Sequence, residues 1–205
     1  MTLSRPAGRP RSEEARRAVL RAAYAILVEQ GLTAFSIDAV ALNAGVARTT
    51  IYRWWSSKGL LAVESFMEVV APRFSFSATA SAADDLRALL HSVASVMNGE
   101  AGRIIASILA EAQGDPNTHQ ALLDHYSNPL RRASIKLLQA GIDSGEFRAD
   151  LELEPVLDAA FGALYLHLLL GWRLDRVWVD QVADTLLNGC RQKPPLQPFA
   201  STNNR

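Results

Sequence analysis

Residues 47–61 read ARTTIYRWWSSKGLL and hold the side chains in this chain best suited to engaging another molecule. Arg48, Arg53 and Lys58 carry positive charge, Thr49 and Thr50 each offer a hydroxyl and a methyl, and Tyr52 offers a phenol. An arginine fork matches the two acceptors on a guanine edge, and a threonine methyl fits against that of thymine. Tyrosine and lysine reach phosphate oxygens. This set suits the major groove of DNA if one helix presents it on one side. On a helix from about 47 to 55, Ile51 and Trp55 are i and i+4, with Trp54 beside them, and that face turns inward. Thr49, Thr50 and Arg53 then lie on the other side, with Arg48 and Tyr52 adjoining. The run TTIYRWW, taken alone, scores as a strand. Its flanks override that weak preference.

The elements that would position this helix are legible around it. Residues 37–56 fit a helix-turn-helix, two helices crossing steeply over a tight turn. Ala41 supplies the small residue where the helices touch, and Gly45 the residue tolerant of positive φ in the turn. Val40, Ala44, Val46, Ile51 and Trp54 stand where they can tie the two helices together. Ser36 caps the first of them, with Asp38 in its first turn and Phe35 and Val40 placed as a hydrophobic staple. Ahead of it a helix over 12–30 is expected, capped by Ser12, with Glu13 and Glu14 at its positive end. Ala15, Val19, Ala22 and Ile26 would line its inner face, with Ala18 and Ala23 beside them, and Gly31 would end it.

The run Gly45-Val46, Thr50-Ile51-Tyr52, an aromatic at 55, then Lys58 and Leu61 resembles the DNA-binding domain of TetR/AcrR transcriptional regulators. The likeness covers about residues 12–62, and GRPR at 8–11 resembles the basic arm many members carry. It implies an all-α homodimer with an N-terminal three-helix helix-turn-helix domain and a larger C-terminal helical domain for ligand binding and dimerisation. It also implies that a small apolar or amphipathic effector releases a palindromic double-stranded DNA operator. Carried over by position, Ser36, Arg48, Thr49, Thr50, Tyr52, Arg53, Trp54 and Lys58 are expected DNA contacts, and Arg9 and Arg11 of the arm are expected to join them. At Trp54 the family often has His or Arg, and a tryptophan offers only its indole N–H.

Charge agrees with such a division. Lysine plus arginine and aspartate plus glutamate each number 21, yet residues 1–60 carry nine basic and four acidic side chains. A +5 module is therefore joined to a −5 remainder, as expected for a part that meets a polyanion beside one that does not. The expected layout is a basic arm at 1–11, the DNA-binding domain at 12–60, the C-terminal domain at 61–193 and a tail at 194–205.

Beyond residue 58 the pattern stays helical. Helices are expected at 58–71, closed by Pro72, and then at 84–98, 101–113, 117–144 with a break near Pro129, 154–171 and 175–191, with a loop at 75–83. The last two helices are apolar round most of their girth. Ala159, Gly162, Ala163, Leu166, Leu170, Trp178, Val182 and Leu186 are the candidates for a four-helix seam with a second copy. Phe66, Met67, His91, Met97, Ile105, Leu109, Tyr126, Tyr165 and His167 are the candidates for an effector pocket.

The single cysteine, Cys190, allows no intrachain disulfide, and the four histidines show no metal spacing. No cofactor or metal is expected. The N-terminal stretch lacks the apolar segment of a signal peptide. The longest apolar run, 159–172, falls short of the roughly 20 residues of a membrane span. A cytoplasmic protein without membrane association is expected. No nucleophile–base pair or phosphate loop supports catalysis. The alternatives are a DNA-binding activator or architectural protein without a small ligand, and a helical enzyme with a basic N-terminus.

Overall fold

A computed structural model describes residues 9–74, 79 and 81–191. The arm residues 1–8, part of the 75–83 loop and the tail lie outside the described residues. The chain is all-α: α1 Arg9–Gln30, α2 Ile37–Ala44, α3 Arg48–Tyr52, α4 Lys58–Val70, α5 Ala82–Met97, α6 Glu100–Ala112, α7 Pro116–Leu122, α8 Asn128–Asp143, α9 Leu153–Leu170 and α10 Arg176–Cys190. Among the described residues the only β pairing is an isolated bridge between Phe147 and Arg191.

α1 starts at Arg9, three residues earlier than expected, so Ser12 lies inside the helix and cannot cap it. Glu13 and Glu14 are likewise past the first turn, and Glu13 pairs with Arg17 at i+4 instead. The buried stripe is Val19, Leu20, Ala23, Ile26 and Leu27. Ala15 and Ala22 sit at its margin, because α1 is packed from two sides, by α2 and by α4. Gly31 takes φ 70° and closes the helix through its N–H to Leu27 O.

α4 bridges the two halves of the molecule. Ser57 caps it, its Oγ accepting from Leu60 N, and Leu61, Ala62, Val63, Phe66 and Val70 are buried. The expected domain boundary at 60/61 falls inside this helix, so no loop separates the halves. Pro72 sits in a 3-10 turn, Ala71–Arg73, that ends it. One buried apolar cluster runs from Val19 in α1 to Cys190 in α10, and burial pushes the Cys190 thiol above its usual range.

The C-terminal helices follow the expected order, and α5 begins earlier than expected, at Ala82. The break near Pro129 is a π-helical turn over Leu123–Ser127, which absorbs the backbone mismatch before the proline. α5 packs on α6, α8 and α10, while α9 packs on α8 and α10. α9, at 18 residues with mean hydropathy 1.4, is long and apolar enough by length and composition to cross a membrane, and only 22% of it is buried.

Candidate nucleic-acid interface

The turn between α2 and α3 decides how the recognition surface is aimed. Ser36 Oγ accepts from Ala39 N at 3.2 Å, so α2 starts where the sequence places it. Gly45 takes φ 67°, and Val46 N donates to Ala41 O at 3.1 Å, reversing the chain within two residues. A side chain at Gly45 would meet the steric cost of the left-handed region. Val40 and Ala41 are buried on α2, and Ile51 is buried on α3.

α3 is shorter than expected, spanning Arg48–Tyr52, although Trp55 N still donates to Ile51 O at 3.0 Å. Trp55 is fully buried, and Trp54 is half-buried against it, edge to face at 5.5 Å. The outer side carries Arg48, Thr49, Tyr52 and Arg53, all exposed, with Thr50 half-buried at the rim. Tyr52 keeps 49% of its surface in solvent, with its phenol free to reach a partner. Arg9 and Arg11 fall in the first turn of α1.

Two residues that sequence reasoning missed hold this surface in place. Trp55 Nε1 donates to Glu64 Oε2 at 2.9 Å, and Arg16 donates to the same oxygen at 3.0 Å. The Arg16 guanidinium also lies 5.7 Å from the Trp55 ring centroid. This knot joins α1, α4 and the end of α3, so the recognition helix is braced by an indole whose only polar atom is satisfied. The signal was a charged residue, Glu64, between Val63 and Ser65 on the buried side of α4, where a lone carboxylate would be costly without partners.

Two expected DNA contacts are engaged inside the protein. Arg48 Nε lies 2.9 Å from Asp38 on α2, and Lys58 Nζ lies 2.8 Å from Glu111 on α6. Both pairs are solvent-accessible, so exchange of the carboxylate for a phosphate costs little. The Lys58 pair belongs to a close junction. Gly59 faces Thr118 so tightly that a Cβ there would stand 1.9 Å from Oγ1 and 2.8 Å from Thr118 Cα. Thr118 in turn donates through its hydroxyl to Asp115, the cap of α7, and this bond, first among several, holds the Asp115 carboxyl below its usual range.

Residues 19–64 match the family model of bacterial regulatory proteins of the tetR family, and residues 76–186 match that of the tetracyclin repressor-like C-terminal domain. The chain belongs to the TetR family of transcriptional regulators. The TetR-family assignment is supported by an uncharacterized HTH-type transcriptional regulator of Bacillus subtilis, YdeS, 31% identical over 88% of this chain and 90% of its own. The DNA-binding transcriptional repressor TetR of Mycobacteroides abscessus is 25% identical over 86% of this chain and 94% of its own. Among solved structures, the TetR family transcription regulator SCO0332 superposes with a TM-score of 0.75 at 30% identity, covering 87% of this chain and all of that one. As a TetR-family member the chain is a DNA-binding transcription regulator and not an enzyme.

The side chains expected to form one effector pocket are spread through this TetR-family fold. Phe66, Tyr126 and Tyr165 meet in the core: Phe66 and Tyr126 are edge to face at 6.0 Å, and Tyr165 donates to the Tyr126 hydroxyl at 2.8 Å. Burial raises both phenols above their usual range, Tyr165 well above. Ile105 is buried and Leu109 is half-buried. His91 is bound to Asp180 of α10 at 2.7 Å, so it ties two helices together. Met67 lines a cleft of about 610 Å³ between α1 and α4. Met97 lines a different one of about 400 Å³ near the α9–α10 turn, and His167 stacks on Trp178 at 3.7 Å close by.

The seam candidates sort by exposure. Leu166 and Leu170 are each 52% exposed and Leu169 is 60% exposed. Ala159 and Gly162 are open to solvent, while Ala163, Trp178, Val182 and Leu186 are half-buried.

Proposed function

We propose that this regulator is a cytoplasmic homodimeric repressor that a small apolar or amphipathic effector releases from a palindromic operator. The single observation that carries the reading is the recognition face: Thr49, Tyr52 and Arg53 stand in solvent on a helix braced by a buried tryptophan. Direct readout falls to Arg53 and the threonine methyls, while Arg48, Tyr52 and Lys58 hold phosphates. Arg9 and Arg11 lie where a basic N-terminal segment supports the same contact.

A dimer supplies the second half-site that one short helix needs. The bare leucines of α9 favour it, since an apolar face of this length is unusual on a monomer. The same face accounts for the apolar character of α9 without a membrane. The repressor sign follows the mycobacterial relative described as a repressor. Effector control enters through α4, whose Phe66 and Val70 reach the C-terminal core while its Glu64 holds Trp55 behind α3 and Arg16 on α1. A tilt of α4 changes the separation of the two recognition helices, and with it the fit to the operator.

Footprinting over the promoters of the regulator's own gene and its neighbours tests this reading. One protected palindrome overlapping a promoter, with transcription rising when the gene is deleted, is expected. Protection upstream of a promoter whose transcription falls on deletion would overturn the repressor sign and favour an activator.

A further inference from the structure

We propose that the cleft between the α5–α6 turn and the α9–α10 turn is the effector site, and that it takes a planar aromatic carboxylate; this rests on the reading of the chain as an effector-controlled regulator. The cleft encloses about 400 Å³, within the usual range for a small-ligand pocket. Met97, Leu168 and Leu174 line it together with the exposed residues Trp172, Arg103 and Arg173.

Three features make it a built site. First, the two turns are pinned together: Asn98 donates from Nδ2 to Leu174 O at 2.7 Å and accepts at Oδ1 from Leu174 N at 3.2 Å. Gly102 permits the tight α5–α6 turn, since a Cβ there would stand 1.8 Å from Met97 O. Second, Trp172 is 55% exposed yet held in place. His167 meets it edge-on at 5.0 Å and is itself stacked on Trp178. An exposed indole with a fixed orientation is ready to stack on a flat ring without further ordering cost. Third, Arg103 and Arg173 have no ion-pair partner among the described residues. Glu100, the acid in the lining, is engaged by Tyr24, whose hydroxyl donates to it at 3.3 Å. With two guanidiniums against one carboxylate, the rim carries a net positive charge that suits a carboxylate ligand.

Neighbouring cavities lack this combination. The cleft of about 260 Å³ beside Tyr165 contains Arg131, but Glu154 and Asp158 already hold that guanidinium. The cleft beside α4 contains Arg16, already bound to Glu64.

The site also has a path to the DNA-binding half. Glu100 and Arg103 line a second cavity of about 220 Å³ whose far wall is Leu27, Val28 and Gly31 at the end of α1. A carboxylate ligand that draws Arg103 into the cleft repels Glu100 and so strains the Tyr24 bond to α1. Leu166 and Leu170 of the proposed seam lie about 160° round α9 from Leu168, while Trp178, another seam candidate, stacks on His167 beside the cleft.

Titration calorimetry of the DNA-free protein with 2-naphthoate and its neutral amide, 2-naphthamide, tests the site without involving an operator. Micromolar binding of 2-naphthoate is expected, with the amide at least about tenfold weaker and Arg103→Ala and Trp172→Ala each costing about tenfold. Equal binding of acid and amide, no heat with 2-naphthoate at millimolar concentration, or affinity untouched in both variants would overturn the proposal. Both side chains are exposed, and circular dichroism is the check that each variant is folded. The same ligand is then added to the operator complex: 2-naphthoate should weaken DNA binding, and Tyr24→Phe should keep the ligand affinity while losing much of that release. Ligand bound in the cleft with operator affinity unchanged would overturn the effector role. A protein that binds no operator even without ligand would refute the regulator reading instead, and calorimetry would still decide the site.

Discussion

At the residue scale the decisive group is Glu64. It satisfies the buried Trp55 N–H and the Arg16 guanidinium at once, and so fixes the tryptophan that backs the recognition face. Glu64→Ala strands a buried donor, at a cost of about 1–3 kcal/mol. Chemical denaturation should show that loss, and operator affinity should fall although no DNA contact is removed. Asp180 gives a second prediction. The hydrogen bond from His91, then that from Arg87, holds its carboxyl below the usual value. A lowered folded value means stability fully present above the ordinary carboxylate range and lost as pH falls below it toward the folded value. The stability gap between the wild-type protein and Asp180→Asn should therefore be steady near neutrality and close only in that acid window. A pH series of melting temperatures checks this.

At the element scale the helix-turn-helix was legible because its signals are local. Gly45, Ser36, Phe35 and Val40 each act within a few residues of their own position, so sequence alone placed α2 and the turn. The ends of α1 and α3 were not legible in the same way. Ser12 reads as a cap, yet the helix runs on to Arg9. α3 stops at Tyr52, although Trp55 N still donates to Ile51 O at 3.0 Å. The Lys58–Glu111 and Trp55–Glu64–Arg16 contacts join distant parts of the chain, and the scattered pocket candidates show the same limit. Composition identified apolar helical residues, but not which of them face a cavity. The junction of α4 with α7 is a close contact between the two halves. Gly59→Ala drives a Cβ into Thr118 backbone as well as its hydroxyl. Overpacking of this kind costs about 1–3 kcal/mol. A urea titration should show it, and the variant's operator affinity should change with the displaced α4.

At the scale of the whole molecule, a basic recognition half and an acidic half share one core through α4. On the proposed reading, dimerisation turns the five-residue helix α3 into a specific reader. Placing Glu at Leu166 and Leu170 together should leave the fold intact, since both side chains are about half exposed, and yield a monomer in sedimentation velocity. A dimer of unchanged strength would move the seam away from α9. On the proposed reading, Arg53 and its neighbours read an operator. Fluorescence anisotropy with the footprinted duplex and a scrambled one, across a salt series, tests it most directly when wild-type protein and Arg53→Ala are run side by side. Tight binding that weakens as salt rises, preference for the footprinted duplex, and loss of that preference in Arg53→Ala are expected. Equal affinity of both proteins for both duplexes would contradict it.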